Sequence, residues 1–231
     1  MPDVPRPAAE ARTPPPVRRS RPRHTTSKEY TRVSTAPALD PAHTALLVMD
    51  FQPAMLAALP EGGDRGALLG RMEGAIADVR ATGGTVAYVR VGFTEADWDA
   101  IPAANKSFAP LARYRVMHHE DPAAFIHERL APQDGDIVVR KTRHGGMSTT
   151  DLDRQLRERG ITTLVVSGIS TSGAVLSTVI DAADRDYRLY VLSDGVADPD
   201  TEVHGILLRR VLPSRAHIVD TAELHTLLRA G

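Results

Sequence analysis

The chain has 231 residues, no cysteine and a formal net charge of −1. Without a thiol there is no disulfide framework, no thiolate nucleophile and no cysteine-ligated metal. A hydrophobic fraction of 42% supports the core of one sizeable domain, whereas no apolar run is long enough to span a membrane. No apolar h-region follows the early arginines, so a cytoplasmic location is expected.

The charge is unevenly spread. Residues 1–36 carry eight Lys and Arg against three Asp and Glu, and the remaining 195 carry 20 against 26. The basic stretch also holds seven prolines and few large apolar side chains. It cannot bury enough surface to offset its ordering entropy, so residues 1–38 read as a disordered or extended tail ahead of a domain over 39–231. A solvated tail accounts for its arginines, and nucleic acid is not expected as a partner.

From residue 44 onward, apolar runs of strand length alternate with amphipathic stretches of helical period. Strands are predicted at 44–50, 84–91, 136–141, 162–168, 188–194 and 216–220. Helices are predicted at 65–83, 149–160, 172–185, 201–212 and 221–230. An irregular section containing Pro102, Pro110 and Pro122 interrupts the pattern after the second strand. Near-continuous β-branched strands alternating with helices imply a parallel sheet covered on both faces. With right-handed crossovers the fold class is α/β, a Rossmann-like three-layer α/β/α sandwich with a six-stranded parallel sheet.

Ligands of such sheets bind beyond the carboxyl ends of the strands. The residues there are Asp50, Arg90 to Phe93, Lys141 to Arg143, Gly168 to Ala174 and Asp194. Asp50 ends an apolar strand, where a carboxylate is costly to desolvate unless paired, and Lys141 is the natural partner. A buried Asp–Lys pair facing a strand–turn–helix junction suits proton transfer, and the same two charges equally suit a purely structural ion pair or two solvated strand ends.

The segments "LLVMDFQPAM", "VVRKTRHGGMSTTDLDRQLRERGITTLVVSGISTSGAVLSTVIDAADRDYRL" and "VLSDGVAD" resemble the isochorismatase-like hydrolases, the superfamily that also includes nicotinamidases and other cysteine amidases. The resemblance covers roughly residues 40–220. It implies a catalytic triad in which Asp50 and Lys141 hold two places, while the cysteine's place falls on Ala174. It further implies a cis peptide at Ile169–Ser170, with the N–H groups of Ser170 and Ala174 forming an oxyanion hole. Alanine cannot form a thioester, so a thiol-dependent amidase mechanism is not expected.

True isochorismatases in the superfamily also lack this cysteine. The reaction the resemblance leaves open is acid-catalysed hydrolysis of an enolpyruvyl (vinyl) ether to pyruvate, with Asp50 as general acid and Lys141 as its electrostatic partner. A nearby ammonium lowers a carboxyl's pKa, so burial has to dominate for Asp50 to serve. Gln52, Arg90, Phe108, Arg143, Thr171 and Ser172 are candidates for contact with a small anionic substrate. Asn105 and Lys106 are weaker ones.

No cofactor is expected. No metal is expected either, because the Asp-x-His that metal-dependent nicotinamidases carry after the second strand is replaced here by "YVRVGFTEADW". His118, His119 and His127 read as loosely spaced and solvated. Two alternatives stand beside the vinyl ether reading. One is an amide or ester hydrolase using Ser172 or Ser170, although those hydroxyls also suit capping of the following helix. The other is a non-catalytic protein that binds a ligand or partner in the retained pocket. The resemblance also implies a homodimer or homotetramer.

Overall fold

The computed structural model describes residues 36–61 and 64–231. The basic segment 1–35, and with it most of the expected tail, lies outside the described residues. At the start of the described chain, the Pro37 carbonyl accepts a hydrogen bond from the Tyr190 hydroxyl at 2.7 Å.

Six strands run parallel: β1 (Thr44–Met49), β2 (Thr85–Val91), β3 (Ile137–Lys141), β4 (Thr163–Ile169), β5 (Arg188–Ala197) and β6 (His217–Val219). Their spatial order is β3-β2-β1-β4-β5-β6, so the direction of winding reverses between β1 and β4. In a doubly wound sheet that reversal opens a crevice at the carboxyl ends of the strands. Asp50 follows β1 and Ser170 follows β4, which places both at its mouth.

Helices α1 (Pro53–Ala57), α2 (Arg65–Ala81), α3 (Glu95–Asp99), α4 (Ala109–Tyr114), α5 (Leu152–Glu158), α6 (Leu176–Ala183), α7 (Thr201–Ile206) and α8 (Thr221–Arg229) complete the chain. Alternate strand residues feed two cores. Leu47, Met49, Val89, Leu164 and Val166 face one layer with Leu152, Leu156 and Val179. Leu46, Val48, Tyr88, Val165 and Tyr190 face the other with Leu69, Met72 and Leu227. Every residue of β1 and of β4 is buried, as expected for central parallel strands whose two faces are both covered. A third cluster of Val91, Phe93, Trp98, Ile101 and Phe108 is built from the irregular section, where α3 and α4 form.

Three expected elements differ in the structure. The stretch 172–185 begins as one wide turn, Thr171–Val175, before the regular helix α6. Likewise 201–212 is regular only to Ile206, where a second wide turn over Leu207–Val211 takes over. The fifth strand runs three residues beyond the predicted end because its register to β4 shifts between Val166 and Gly168, after which Gly168 pairs with Val196 and Ile169 with Ala197. Asp194 therefore sits inside β5 rather than at its end, where its carboxylate accepts from the Thr221 N–H at 3.0 Å and the Thr221 hydroxyl at 2.8 Å.

Gly168 makes this junction possible. Its φ is +156°, and an added Cβ would lie 2.8 Å from the Met49 carbonyl oxygen on the neighbouring central strand. Gly168→Ala is expected to destabilise the protein by about 2–4 kcal/mol, combining backbone strain with overpacking against a strand that cannot retreat. The measurement is the urea unfolding midpoint at unchanged m-value.

Candidate active site

The crevice at the β1–β4 reversal is floored by an ion pair. Lys141 Nζ lies 2.6 Å from Asp50 Oδ2, and both side chains are almost wholly buried, at 2% and 5% exposure. The pair bridges over β2, which separates β1 from β3. Asp50 can turn into position because its φ is +57°, a left-handed conformation that Asp tolerates better than most residues. Its own N–H donates to the Val89 carbonyl at 2.8 Å, and its carbonyl accepts from the Gln52 N–H at 2.8 Å. Lys141 has a second anchor, donating to the His144 carbonyl at 2.6 Å.

The two oxygens of Asp50 are unlike. Oδ2 takes the ammonium, whereas Oδ1 is buried with no hydrogen-bond partner among the described residues. Burial pushes the Asp50 carboxyl above the ordinary carboxylate range, and this outweighs the opposing pull of the Lys141 ammonium. The result is a carboxyl group that favours its protonated form more than an exposed aspartate does, with one oxygen unengaged.

Above the pair, the turn after β4 is tied down from several sides. The Ile169–Ser170 peptide is cis. Ser170 Oγ accepts from the Gly173 N–H at 3.1 Å, and the Ser170 carbonyl accepts from the Val175 N–H at 3.1 Å. The Ser172 N–H donates to Asp198 Oδ2 at 2.7 Å, and Thr171 Oγ1 lies 2.9 Å from His204 Nδ1. Ala174 is 3% exposed, and its methyl group packs into the first core. There is no nucleophilic atom at its position.

The remaining candidates separate into two groups. Phe108 and Arg143 stay at a cavity of about 610 Å³ that also touches Asn105, His144, Ser148 and Ser177. The Arg143 guanidinium lies over the Phe108 ring, 5.3 Å from its centroid. Gln52, Arg90 and Thr171 do not fit the expected role of substrate contact. Gln52 is fully buried, and its amide is spent on backbone, donating to the carbonyls of Val91 at 2.8 Å and Ala124 at 2.6 Å and accepting from the Val91 N–H at 2.9 Å. Arg90 clamps the same loop through the carbonyls of His119 at 2.9 Å and Ala124 at 3.1 Å. Thr171 is fully buried against His204. Ser172 is exposed and is held through its backbone rather than its hydroxyl.

The histidines also need a correction. His118 and His119 are not dispersed: their rings are 4.8 Å apart, and with Glu120 they bring three potential ligand atoms within 4.8 Å of one another. His127 stands apart, its Nδ1 accepting from the Arg129 N–H at 3.2 Å.

Three residues of the site escaped the sequence reading. His144 packs on Phe108 with centroids 4.7 Å apart, and its Nδ1 is 3.5 Å from where a Gly173 Cβ would stand. Burial, helped by the Lys141 charge, lowers its pKa, so it is neutral near pH 7. Asp198 and His204 hold the turn. The only sequence signal for these three was position, since one follows a strand-end lysine and two follow β5.

Beyond geometry, the profile of the isochorismatase domain matches residues 44–223. The chain belongs to the isochorismatase family. Among its relatives, this isochorismatase-family hydrolase is 33% identical over 213 residues to the ureidoacrylate amidohydrolase RutB of Methylobacterium radiotolerans, covering 83% of this chain and 81% of that one. It is 31% identical to the isochorismatase family protein YecD of Escherichia coli O157:H7, over 78% of this chain and 94% of that one. Among solved structures, an isochorismatase family protein from Burkholderia thailandensis superposes with a TM-score of 0.72 at 27% identity, covering 84% of this chain and 98% of that one. The N-carbamoylsarcosine amidase of Thermoplasma acidophilum does so with 0.61 at 25%, over 77% and 96%.

Removing one member of the buried pair is expected to cost more than removing both. Lys141→Met should destabilise by about 3–5 kcal/mol at neutral pH, because it strands a buried carboxylate, and adding Asp50→Asn should restore much of that loss. A double-mutant cycle by urea unfolding measures the difference.

Proposed function

We propose that this protein is a cysteine-independent hydrolase that acts on a small anionic metabolite by acid–base chemistry at Asp50, with an enolpyruvyl ether as the substrate class. The observation that carries the reading is Asp50 Oδ1, buried and without a partner in a carboxyl group whose pKa is raised. It supports the reading because burial outweighs the neighbouring ammonium and moves the carboxyl toward its protonated form.

The reaction balances with these parts and water. Asp50 gives its proton to the terminal methylene carbon of the enolpyruvyl group, whose π electrons form the new C–H bond. The adjacent carbon becomes an oxocarbenium ion, and the Asp50 carboxylate left behind is stabilised by the Lys141 ammonium 2.6 Å away. Water adds to that carbon and returns a proton to Asp50. The hemiketal then breaks its C–O bond to release pyruvate and the alcohol. Arg143, beside Phe108 at the cavity, is suited to the substrate carboxylate. No step needs a side-chain nucleophile, which accords with alanine at position 174.

A second reading, hydrolysis of an amide, draws support from the amidohydrolase name of the 33% identical relative. Here a water beside Ala174 would attack the carbonyl carbon and pass its proton to the Asp50 carboxylate, with the N–H groups of Ser170 and Ala174 receiving the oxyanion. Asp50 would then hand that proton to the leaving nitrogen as the C–N bond breaks. Ser170 itself is less suited as the nucleophile, because its Oγ caps the Gly173 N–H.

The deciding experiment offers isochorismate and ureidoacrylate separately to wild type, Asp50→Asn and Lys141→Met, with folding checked by circular dichroism. Pyruvate release from isochorismate is expected, reduced at least 10³-fold in Asp50→Asn, a loss in the range of general acid–base catalysis. The pH dependence has a definite sign. The active form is the protonated acid, so kcat should fall as pH rises through the raised Asp50 pKa, at higher pH than an exposed aspartate would allow. A rate that rises with pH on ureidoacrylate, with no pyruvate from isochorismate, would replace the first reading by the second.

A further inference from the structure

A second cavity, of about 330 Å³, lies on the α2 side of the sheet and is lined by none of the site residues named above except Asp198 and His204. Its floor is apolar, from Leu59, Leu68 and Val196. Its polar wall carries Arg65, Arg71 and His204. The state of each charged group on that wall is informative.

Both carboxylates in the lining are already engaged. Asp198 takes the Ser172 N–H through Oδ2 and the Asp200 N–H at 3.0 Å through Oδ1, and Asp64 caps α2 by accepting from the Ala67 N–H at 2.8 Å. Arg71 donates to the Asp194 carbonyl at 2.8 Å and lies 3.7 Å from the same residue's carboxylate. Arg65 differs. Its guanidinium reaches only the carbonyls of Ala57 and Leu59, its Nε is buried with no acceptor, and among the described residues no carboxylate pairs with it. A guanidinium lining the cavity with no carboxylate partner among the described residues, beside an apolar floor, is the complement of a small carboxylate on an apolar body.

We propose that this cavity binds a small monocarboxylate of largely apolar body, held by Arg65 with Arg71 and His204, at a site separate from the Asp50–Lys141 crevice. The ligand would lie one hydrogen bond from the turn after β4, because His204 also contacts Thr171 at 2.9 Å. The inference stands whichever reaction Asp50 performs.

The test titrates the full chain with benzoate by calorimetry, and with benzamide as a neutral isostere. Saturable benzoate binding is expected in wild type, with benzamide at least tenfold weaker. Asp50→Asn should bind benzoate as wild type does, whereas Arg65→Gln should bind at least tenfold more weakly. Proton NMR adds a reading that needs no variant of the cavity, since benzoate should shift the ring resonances of His204 and leave those of His144 in place. Absence of saturable benzoate binding to folded wild type would overturn the proposal. Equal affinity for benzamide, retention of affinity in Arg65→Gln, or shifts confined to His144 would do the same.

Discussion

A carboxylate and an ammonium sealed together beneath the end of a parallel sheet impose most of what is distinctive about this molecule. Separately, each charge would cost several kcal/mol to bury, so Asp50 and Lys141 are tolerable only as a pair at 2.6 Å. The pairing constrains the fold in turn. Lysine has to reach across β2 from β3, its remaining donors need acceptors such as the His144 carbonyl, and the backbone of Asp50 has to adopt φ +57°. Gln52 then fixes the chain just beyond, with three hydrogen bonds to backbone in a place where no water reaches. The functional end of the sheet is therefore rigid because its charges could not otherwise be buried.

Against that floor, the turn after β4 is shaped by independent tethers from β5 and α7. Asp198 holds the Ser172 N–H and His204 holds the Thr171 side chain, so two elements fix a segment of only a few residues. This double tethering positions the turn against the floor of the crevice. It also separates the shape of the turn from the identity of residue 174. The methyl group of Ala174 fills the first core, and none of these tethers involves its side chain.

Much of this was legible in the sequence, and the limits are instructive. The strands could be read because central parallel strands are buried on both faces and spell continuous apolar runs, as "TALLVM" and "TLVVSGI" do. Asp50 and Lys141 stand out in the sequence as charges ending such runs, and the folded chain adds that they meet at 2.6 Å. What could not be read were roles decided by a backbone neighbour. Gln52 looks like any polar residue near a strand end, and only the folded chain shows its amide saturated by Val91 and Ala124. The end of β5 was misplaced for a similar reason, since a register shift at Gly168 extends pairing past the polar Ser193 and Asp194, which local pattern reads as a stop. His118 and His119 were read as dispersed because spacing along the chain carries no information about a loop that folds beside Phe93.

The side chain at position 174 bears on what the ion pair could do under the proposed reading. With a thiol above it, an Asp–Lys pair can take the thiol's proton and stabilise the thiolate, and the covalent chemistry then belongs to sulfur. With a methyl group there, no atom at that position can share a proton or an electron pair. In the proposed reaction proton transfer would fall to Asp50, so its acidity would be the property that matters. Burial raises its pKa while the Lys141 ammonium stabilises the conjugate base. These opposed effects make the Asp50 carboxyl easier to protonate than an exposed aspartate while leaving its conjugate base paired with an ammonium. On the proposed reading, a carboxyl with a raised pKa would serve to protonate an electron-rich double bond, whereas activating water against an amide would call for its carboxylate form. Amide cleavage needs a stronger nucleophile and a protonated leaving nitrogen, whereas vinyl ether cleavage needs only an acid and water.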